Sequence, residues 1–243
     1  MNANHPAPDE LSPQIIRWHP FADAAAVRNA ALEAIAAAAA QAIRARGAFH
    51  LVLAGGSTPK AVYQQCRGLS TNWGAWHIYH GDERCLPADH LDRNSRMATE
   101  AWLAHVPIPA AQIHDIPAEN GAVAAAGAYS ATLRDVGEFD LVLLGLGEDG
   151  HTASLFPGQT DGLRADAADA IPVFDAPKPP PSRVSLSARR LAQTRQTLFM
   201  VTGSEKQRAV SQWTAGADIP THFIRPAGGV DAFCEASLLK TPG

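Results

Sequence analysis

The sequence predicts an α/β protein whose core is a mainly parallel sheet covered by helices on both faces. Two features lead there. Short apolar runs alternate with helical stretches, and each run ends in glycine and polar residues. Residues 49–54 lead into Gly55, Gly56, Ser57, Thr58 and Pro59, residues 76–80 into Gly81, Asp82, Glu83 and Arg84, and residues 139–144 into Gly145, Leu146 and Gly147. Strands buried on both faces read as continuous apolar runs, and parallel neighbours need crossover connections, usually helical. Ligands of such sheets bind at the carboxyl ends of the strands. The glycine-bearing junctions are therefore where chemistry is expected.

In chain order, residues 1–14 read as an irregular, proline-rich lead-in, and 14–18 as a lead-in strand at best. Residues 23–46 read as helix. They are rich in Ala, with Leu32, Ile35 and Ile43 spaced for one face, Arg44 and Arg46 in the last turn and Gly47 after it. A second helix is expected over 60–66, after the first glycine junction. Residues 157–182 look like a loop, with Pro177, Pro179, Pro180 and Pro181 near the end. The segment either separates two domains or makes an excursion within one. The remaining residues read as further strands of the same sheet, at 183–187, 196–202 and 221–224, which favours one domain over 1–243.

Composition excludes several classes of function. With 46% hydrophobic and 18% charged residues the chain is not a disordered one. No window approaches the roughly 18 apolar residues of a membrane span, and the start lacks the basic-then-apolar order of a secretory signal, so a cytoplasmic location is expected. Lys and Arg number 20 against 24 Asp and Glu, a formal net charge of −4 with no basic stripe, which argues against nucleic acid as a partner. Cys66, Cys85 and Cys234 are odd in number and widely spaced, and read as reduced and structural. There is no G-x-S-x-G elbow, no H-E-x-x-H and no paired Cys/His spacing, so covalent serine catalysis and a zinc site are disfavoured. Nothing distinguishes a monomer from a small homo-oligomer.

Four segments could carry chemistry. Gly56, Ser57 and Thr58 could offer backbone N–H groups, hydroxyls and a helix N-terminus to a phosphate, or could form an ordinary strand-to-helix turn. Asp82, Glu83 and Arg84, followed by Asp92, Arg93, Asn94, Ser95 and Arg96, either line a cleft or occupy a solvated loop; their place at a second strand end favours the cleft. The stretch from Gly145 to Phe156 is the most informative, because its glycines leave Asp149 and His151 two residues apart at a strand end. A neighbouring carboxylate can orient an imidazole and raise its basicity, as a general base requires. Arg183 and Lys206 could complete a phosphate clamp, although each alone could equally be a surface charge.

Taken together, these segments resemble those of the 6-phosphogluconolactonases. The resemblance rests on Gly55-Gly56-Ser57-Thr58-Pro59, Asp82-Glu83-Arg84, the stretch from Gly145 to Pro157, Pro181-Ser182-Arg183-Val184-Ser185-Leu186-Ser187 and Thr202-Gly203-Ser204-Glu205-Lys206, which occur in that family's order over about residues 15–236. It implies a Rossmann-like fold shared with glucosamine-6-phosphate deaminases and ribose-5-phosphate isomerases. It also implies hydrolysis of 6-phospho-D-glucono-1,5-lactone in the oxidative pentose phosphate pathway, without a metal or organic cofactor. By resemblance, Gly56, Ser57, Thr58, Lys206 and Arg183 hold the substrate phosphate, His151 is the catalytic histidine, and Asp149, Asp82 and Arg84 complete the catalytic set. The resemblance is weaker at residues 93–96, where a Ser-Asn-aromatic order is expected and Arg93-Asn94-Ser95-Arg96 stands instead; this leaves the roles of Asn94 and Arg96 open.

Two rivals remain. An amino-sugar phosphate deaminase would resemble the chain at Asp82-Glu83 and Asp149-Gly150-His151, but such enzymes carry a further carboxylate where Phe156 stands here and an aromatic in place of Arg84. A sugar-phosphate sensor would need a DNA-binding module, for which the irregular residues before the first helix are too few.

Overall fold

A computed structural model describes residues 13–240, so the lead-in expected over 1–14 lies outside the described residues except for its last two. Asp23 accepts the N–H of Ala26 at 2.8 Å and opens α1 (Ala24–Arg46). Val27, Ala31, Ile35, Ala39 and Ala42 form its buried face, and the N–H of Gly47 closes the last turn on the Ile43 carbonyl at 2.9 Å.

The main sheet contains β1 (Ile16–Phe21), β2 (Phe49–Leu53), β3 (Trp76–His80), β5 (Ile113–His114), β6 (Leu141–Gly145), β9 (Thr197–Val201) and β10 (Val230–Glu235). Their order is β1-β10-β9-β6-β2-β3-β5, and every pairing is parallel. A smaller antiparallel sheet has the order β4-β8-β7, made of β4 (Asp82–Arg84), β7 (Ala170–Val173) and β8 (Arg183–Leu186).

The strand side chains divide between two apolar layers with the period of two that a pleated strand imposes. Leu51, Leu53, Ile78, Leu141, Leu143, Leu198 and Met200 pack with Ala31 and Ile35 of α1, with Val62 and Tyr63 of α2 (Ser57–Cys66) and with Ala98 of α3 (Asn94–Ala101). The alternate residues Val52, Tyr79, Val142, Leu144, Phe199 and Val201 pack with Ala125 and Tyr129 of α4 (Ala122–Leu133), Leu191 of α5 (Ala188–Ala192) and Val210 and Trp213 of α6 (Gln207–Thr214). The mainly parallel, helix-covered sheet expected from the sequence is the fold observed. From β2 the chain continues to β3 on one side, and from β6 it passes to β9 on the other, so β2 and β6 flank the point where the connections diverge. A crevice opens at such a point.

Four expectations need correction. Residues 221–224 are not a strand. Pro220 starts a 3-10 helix, Pro220–Phe223, pinned by the Thr221 hydroxyl donating to the Gly150 carbonyl at 2.7 Å. The strand beside β1 is β10, whose apolar run is broken by Asp231 and Glu235 and so escaped notice in the sequence. Residues 183–187 do hold a strand, but β8 pairs with β4 and β7 rather than with the main sheet. The supposed loop 157–182 contains β7, and Asp82 to Arg84 form a strand instead of a loop. Pro20, in β1, is tolerated because that strand is an edge, paired only with β10.

Glu83 is fully buried and locks α3 to β4. Its side-chain oxygens accept the N–H of Arg84 at 2.8 Å, of Asn94 at 2.7 Å and of Ser95 at 2.8 Å. Arg93, 3% exposed, lies 3.4 Å from the same carboxylate and donates to Glu119 at 2.7 Å. Removing one partner of a buried charged network strands the others, so Glu83→Ala is expected to lower stability by about 3–5 kcal/mol in denaturant unfolding; a loss below about 1 kcal/mol would contradict this account.

His50 and His77, near the amino ends of β2 and β3, form a stack with His114 of β5, in which His77 lies 4.7 Å from His50 and 5.9 Å from His114, ring centre to ring centre. Burial first, and mutual repulsion second for His50 and His114, lower the pKa of these rings; burial alone lowers that of His77. The unfolded rings titrate near about 6.5. On acidification through that value the unfolded chain binds protons first, so stability is full above it and falls as the pH drops toward the depressed folded values. Melting temperature is expected to fall between about pH 7.5 and 5.5, and His77→Phe, which keeps a ring in the stack, should flatten that slope.

Candidate active site

The crevice between β2 and β6 is a cleft of about 350 Å³. Its floor comes from the strand ends Leu53, Ala54, Leu143, Leu144 and Gly145, and its walls from loops that leave those ends. Of the nine residues singled out in the sequence, Gly56, Asp82, Arg84, His151, Arg183 and Lys206 line it. Ser57, Thr58 and Asp149 stand just behind or beside the lining.

Gly56 precedes α2, so the first backbone N–H groups of that helix, those of Ser57 and Thr58, have no acceptor within it. Such a terminus favours an anion. The Thr58 hydroxyl is engaged with that of Thr202 at 2.6 Å, which brings the end of β9 beside the start of α2. Lys206 follows four residues later, on the same cleft, with its side chain 21% exposed and its ammonium 3.9 Å from Glu205.

His151 hangs on the loop after β6. Its Nδ1 lies 2.5 Å from an Asp149 oxygen, and its backbone N–H donates to the same oxygen at 3.1 Å. Burial pushes the Asp149 carboxyl up, but the imidazole and the backbone N–H groups outweigh it and hold the pKa at about 2. Asp149 is therefore an ionised acceptor at neutral pH, and the ring meets it through Nδ1–H. The loop can bring the ring this close only because residue 147 is glycine: a β-carbon there would lie 2.0 Å from His151 Nδ1. Phe156 closes the other side, its ring centre 4.8 Å from that of His151.

Asp82, 6% exposed, does not touch His151. One of its oxygens accepts from Asn94 Nδ2 at 3.1 Å and the other from Ser154 Oγ at 2.6 Å. Arg84 donates to the Asp92 carbonyl, while its buried Nε has no acceptor among the described residues. Arg183 is the cross-strand partner of Arg84. Its guanidinium donates to the carbonyls of Lys178 at 2.8 Å and Pro180 at 3.2 Å, and lies 5.5 Å from the Phe156 ring centre. Burial lowers its pKa, with nearby Asp82 opposing and Arg84 adding to the shift.

Charge in the cleft runs opposite to that of the whole chain. Arg84, Lys178, Arg183 and Lys206 face one carboxylate, Asp82, and like charges placed directly across a strand pair repel. An anion bound between them relieves that repulsion. Among the described residues no group of His, Cys, Asp or Glu is arranged to hold a metal ion, and no helix is long and apolar enough to cross a membrane.

Three contributors were not picked out as site residues in the sequence. Asn94 lines the cleft, and its signal was its place in the charged stretch after Arg84. Lys178 lines it from the proline-rich segment and reaches Glu148 at 3.2 Å. Ser154 has no local signal, since only folding brings it to Asp82. Arg96, by contrast, is a surface residue paired with Glu100 at 2.6 Å, one helical turn on.

A family model described as glucosamine-6-phosphate isomerases/6-phosphogluconolactonase matches residues 22–233. The 6-phosphogluconolactonase of Mycobacterium leprae is 34% identical over 224 residues, which cover 86% of this chain and 90% of that one. The 6-phosphogluconolactonase of a Nostoc species is 36% identical over 200 residues, covering 77% and 82% respectively. Among solved structures, the 6-phosphogluconolactonase of Thermotoga maritima superposes with a TM-score of 0.84 at 25% identity, covering 91% of this chain and all of that one. With a match over most of its length in both sequence and fold, the chain belongs to the glucosamine-6-phosphate isomerase/6-phosphogluconolactonase family.

Proposed function

We propose that this protein hydrolyses 6-phospho-D-glucono-1,5-lactone to 6-phospho-D-gluconate, the lactone-opening step of the oxidative pentose phosphate pathway, with His151 as general base. The observation that carries the reading is the Asp149–His151 pair at the wall of a cationic cleft, an arrangement in which a neutral imidazole held through Nδ1–H turns Nε2 into the available base. The family membership and the names of the relatives support the substrate.

In this mechanism Nε2 takes a proton from a water molecule as its oxygen attacks C1 of the lactone. Charge moves to the carbonyl oxygen, where Arg84 offers a donor whose buried Nε has no acceptor among the described residues. The tetrahedral intermediate then collapses, the bond from C1 to the ring oxygen breaks, and the imidazolium returns its proton to that oxygen. Asp149 stays ionised throughout, holding the ring in one tautomer. Gly56, Ser57 and Thr58 at the α2 terminus, with Lys206 and Arg183, hold the phosphate at the far end of the substrate. Phe156 supplies neither acid nor base, which leaves no group at its position for the ring opening of an amino sugar.

The direct test generates the lactone in situ from glucose 6-phosphate and follows 6-phosphogluconate with a coupled dehydrogenase. The protein is expected to exceed the spontaneous rate, and His151→Ala to lower turnover on the order of 10²–10⁴-fold. A loss of only a few fold in a folded variant would remove His151 from the role, and ammonia release from glucosamine 6-phosphate would favour deamination. Binding energy at the phosphate contributes by orienting C1. Glucono-1,5-lactone without phosphate is therefore expected to show a lower kcat as well as a higher KM in the same apparatus.

A further inference from the structure

Among the described residues, Asp82 is the sole carboxylate in the cleft lining, and neither of its oxygens is spent on a cation by hydrogen bond. Both are held by neutral donors from elements far apart in sequence. Asn94 Nδ2 donates to Oδ1 at 3.1 Å and to the Asp82 backbone carbonyl at 3.0 Å. Ser154 Oγ donates to Oδ2 at 2.6 Å.

The two donors are themselves fixed. Asn94 begins α3, its backbone N–H held by buried Glu83 at 2.7 Å. Its side-chain amide presses so closely on Gly55 that a β-carbon there would lie 2.2 Å from its Oδ1. Ser154 is fully buried, and its N–H donates to the hydroxyl of Ser185, the cross-strand partner of Asp82, at 3.2 Å. Ser154 also lies three residues beyond His151, so its bond to Asp82 joins the histidine loop to β4.

We propose that Ser154 and Asn94 are positioning residues that act through Asp82, fixing its carboxylate as an acceptor for the ring hydroxyls of the substrate at a set distance from His151. A carboxylate offers about four acceptor sites, and the two neutral donors leave sites free that only a donor can use. A polyhydroxylated lactone brings such donors, and a fixed acceptor aligns C1 with the water that His151 activates. The inference rests on the lactonase reading above.

The test compares Ser154→Ala, Asn94→Ala, Asp82→Asn and the Ser154→Ala/Asp82→Asn double variant in the coupled assay, with melting temperatures for each. Loss of a hydrogen bond to a charged group predicts a fall in kcat of about 10- to 100-fold for Ser154→Ala. KM should change less than about threefold, because the phosphate end is untouched. Ser154→Thr, which keeps the hydroxyl, should recover most of the rate. In the Asp82→Asn background Ser154→Ala should subtract less than about twofold, since residues acting through one another are not additive. A folded Ser154→Ala enzyme with wild-type kcat, or losses that multiply fully in the double variant, would overturn the proposal. Should Ser154→Ala fail to fold, Asn94→Ala carries the same expectations and the same refutation. A wild-type protein that leaves lactone opening at its spontaneous rate would overturn the functional reading itself, whereas a fast wild type with undiminished variants overturns only this inference.

Discussion

The seven strands of the main sheet all run the same way, so their carboxyl ends share one edge, and each wall of the cleft depends on that constraint. Gly56 follows β2, Asp82 follows β3, His151 follows β6 and Lys206 follows β9. Successive members lie 26, 69 and 55 residues apart along the chain, yet the parallel order brings them to one crevice. The divergence of the connections at β2 and β6 keeps that crevice open.

The small antiparallel sheet adds what the parallel one does not supply. By pairing β4 with β8 it sets Arg84 opposite Arg183 and brings the proline-rich segment, with Lys178, over the cleft. A protein of net charge −4 thus concentrates four cations around one pocket. Such local focusing favours an anion in the cleft.

Buried polar contacts occur at both ends of the sheet, and the cleft lies at only one of them. His50, His77, His114 and the Arg46–Asp140 pair lie outside the cleft lining. At the carboxyl ends lie buried polar contacts, Glu83 beside Arg93 and Asp82 with Asn94 and Ser154. Hydrogen bonds to buried polar groups specify the geometry of the cleft wall.

How much of this was legible in the chain follows the range of the forces involved. Local patterns determined α1, with its alanine face and Gly47 stop, the apolar strands β2, β3, β6 and β9, and the glycine junctions after them. They also marked Asp149 and His151, because that bond spans two residues. Patterns of short range misled at 221–224, where Pro220 starts a 3-10 helix, and at β10, whose Asp231 answers to Arg17 and His19 across the sheet. The sequence by itself determined the fold class and the residue types of the cleft, since strand burial and glycine turns are written in neighbouring residues. Tertiary structure alone decided that Ser154 and Asn94, and not His151, hold the Asp82 carboxylate by hydrogen bonds. Those contacts join residues up to 72 positions apart, and only the packed sheet sets their distance.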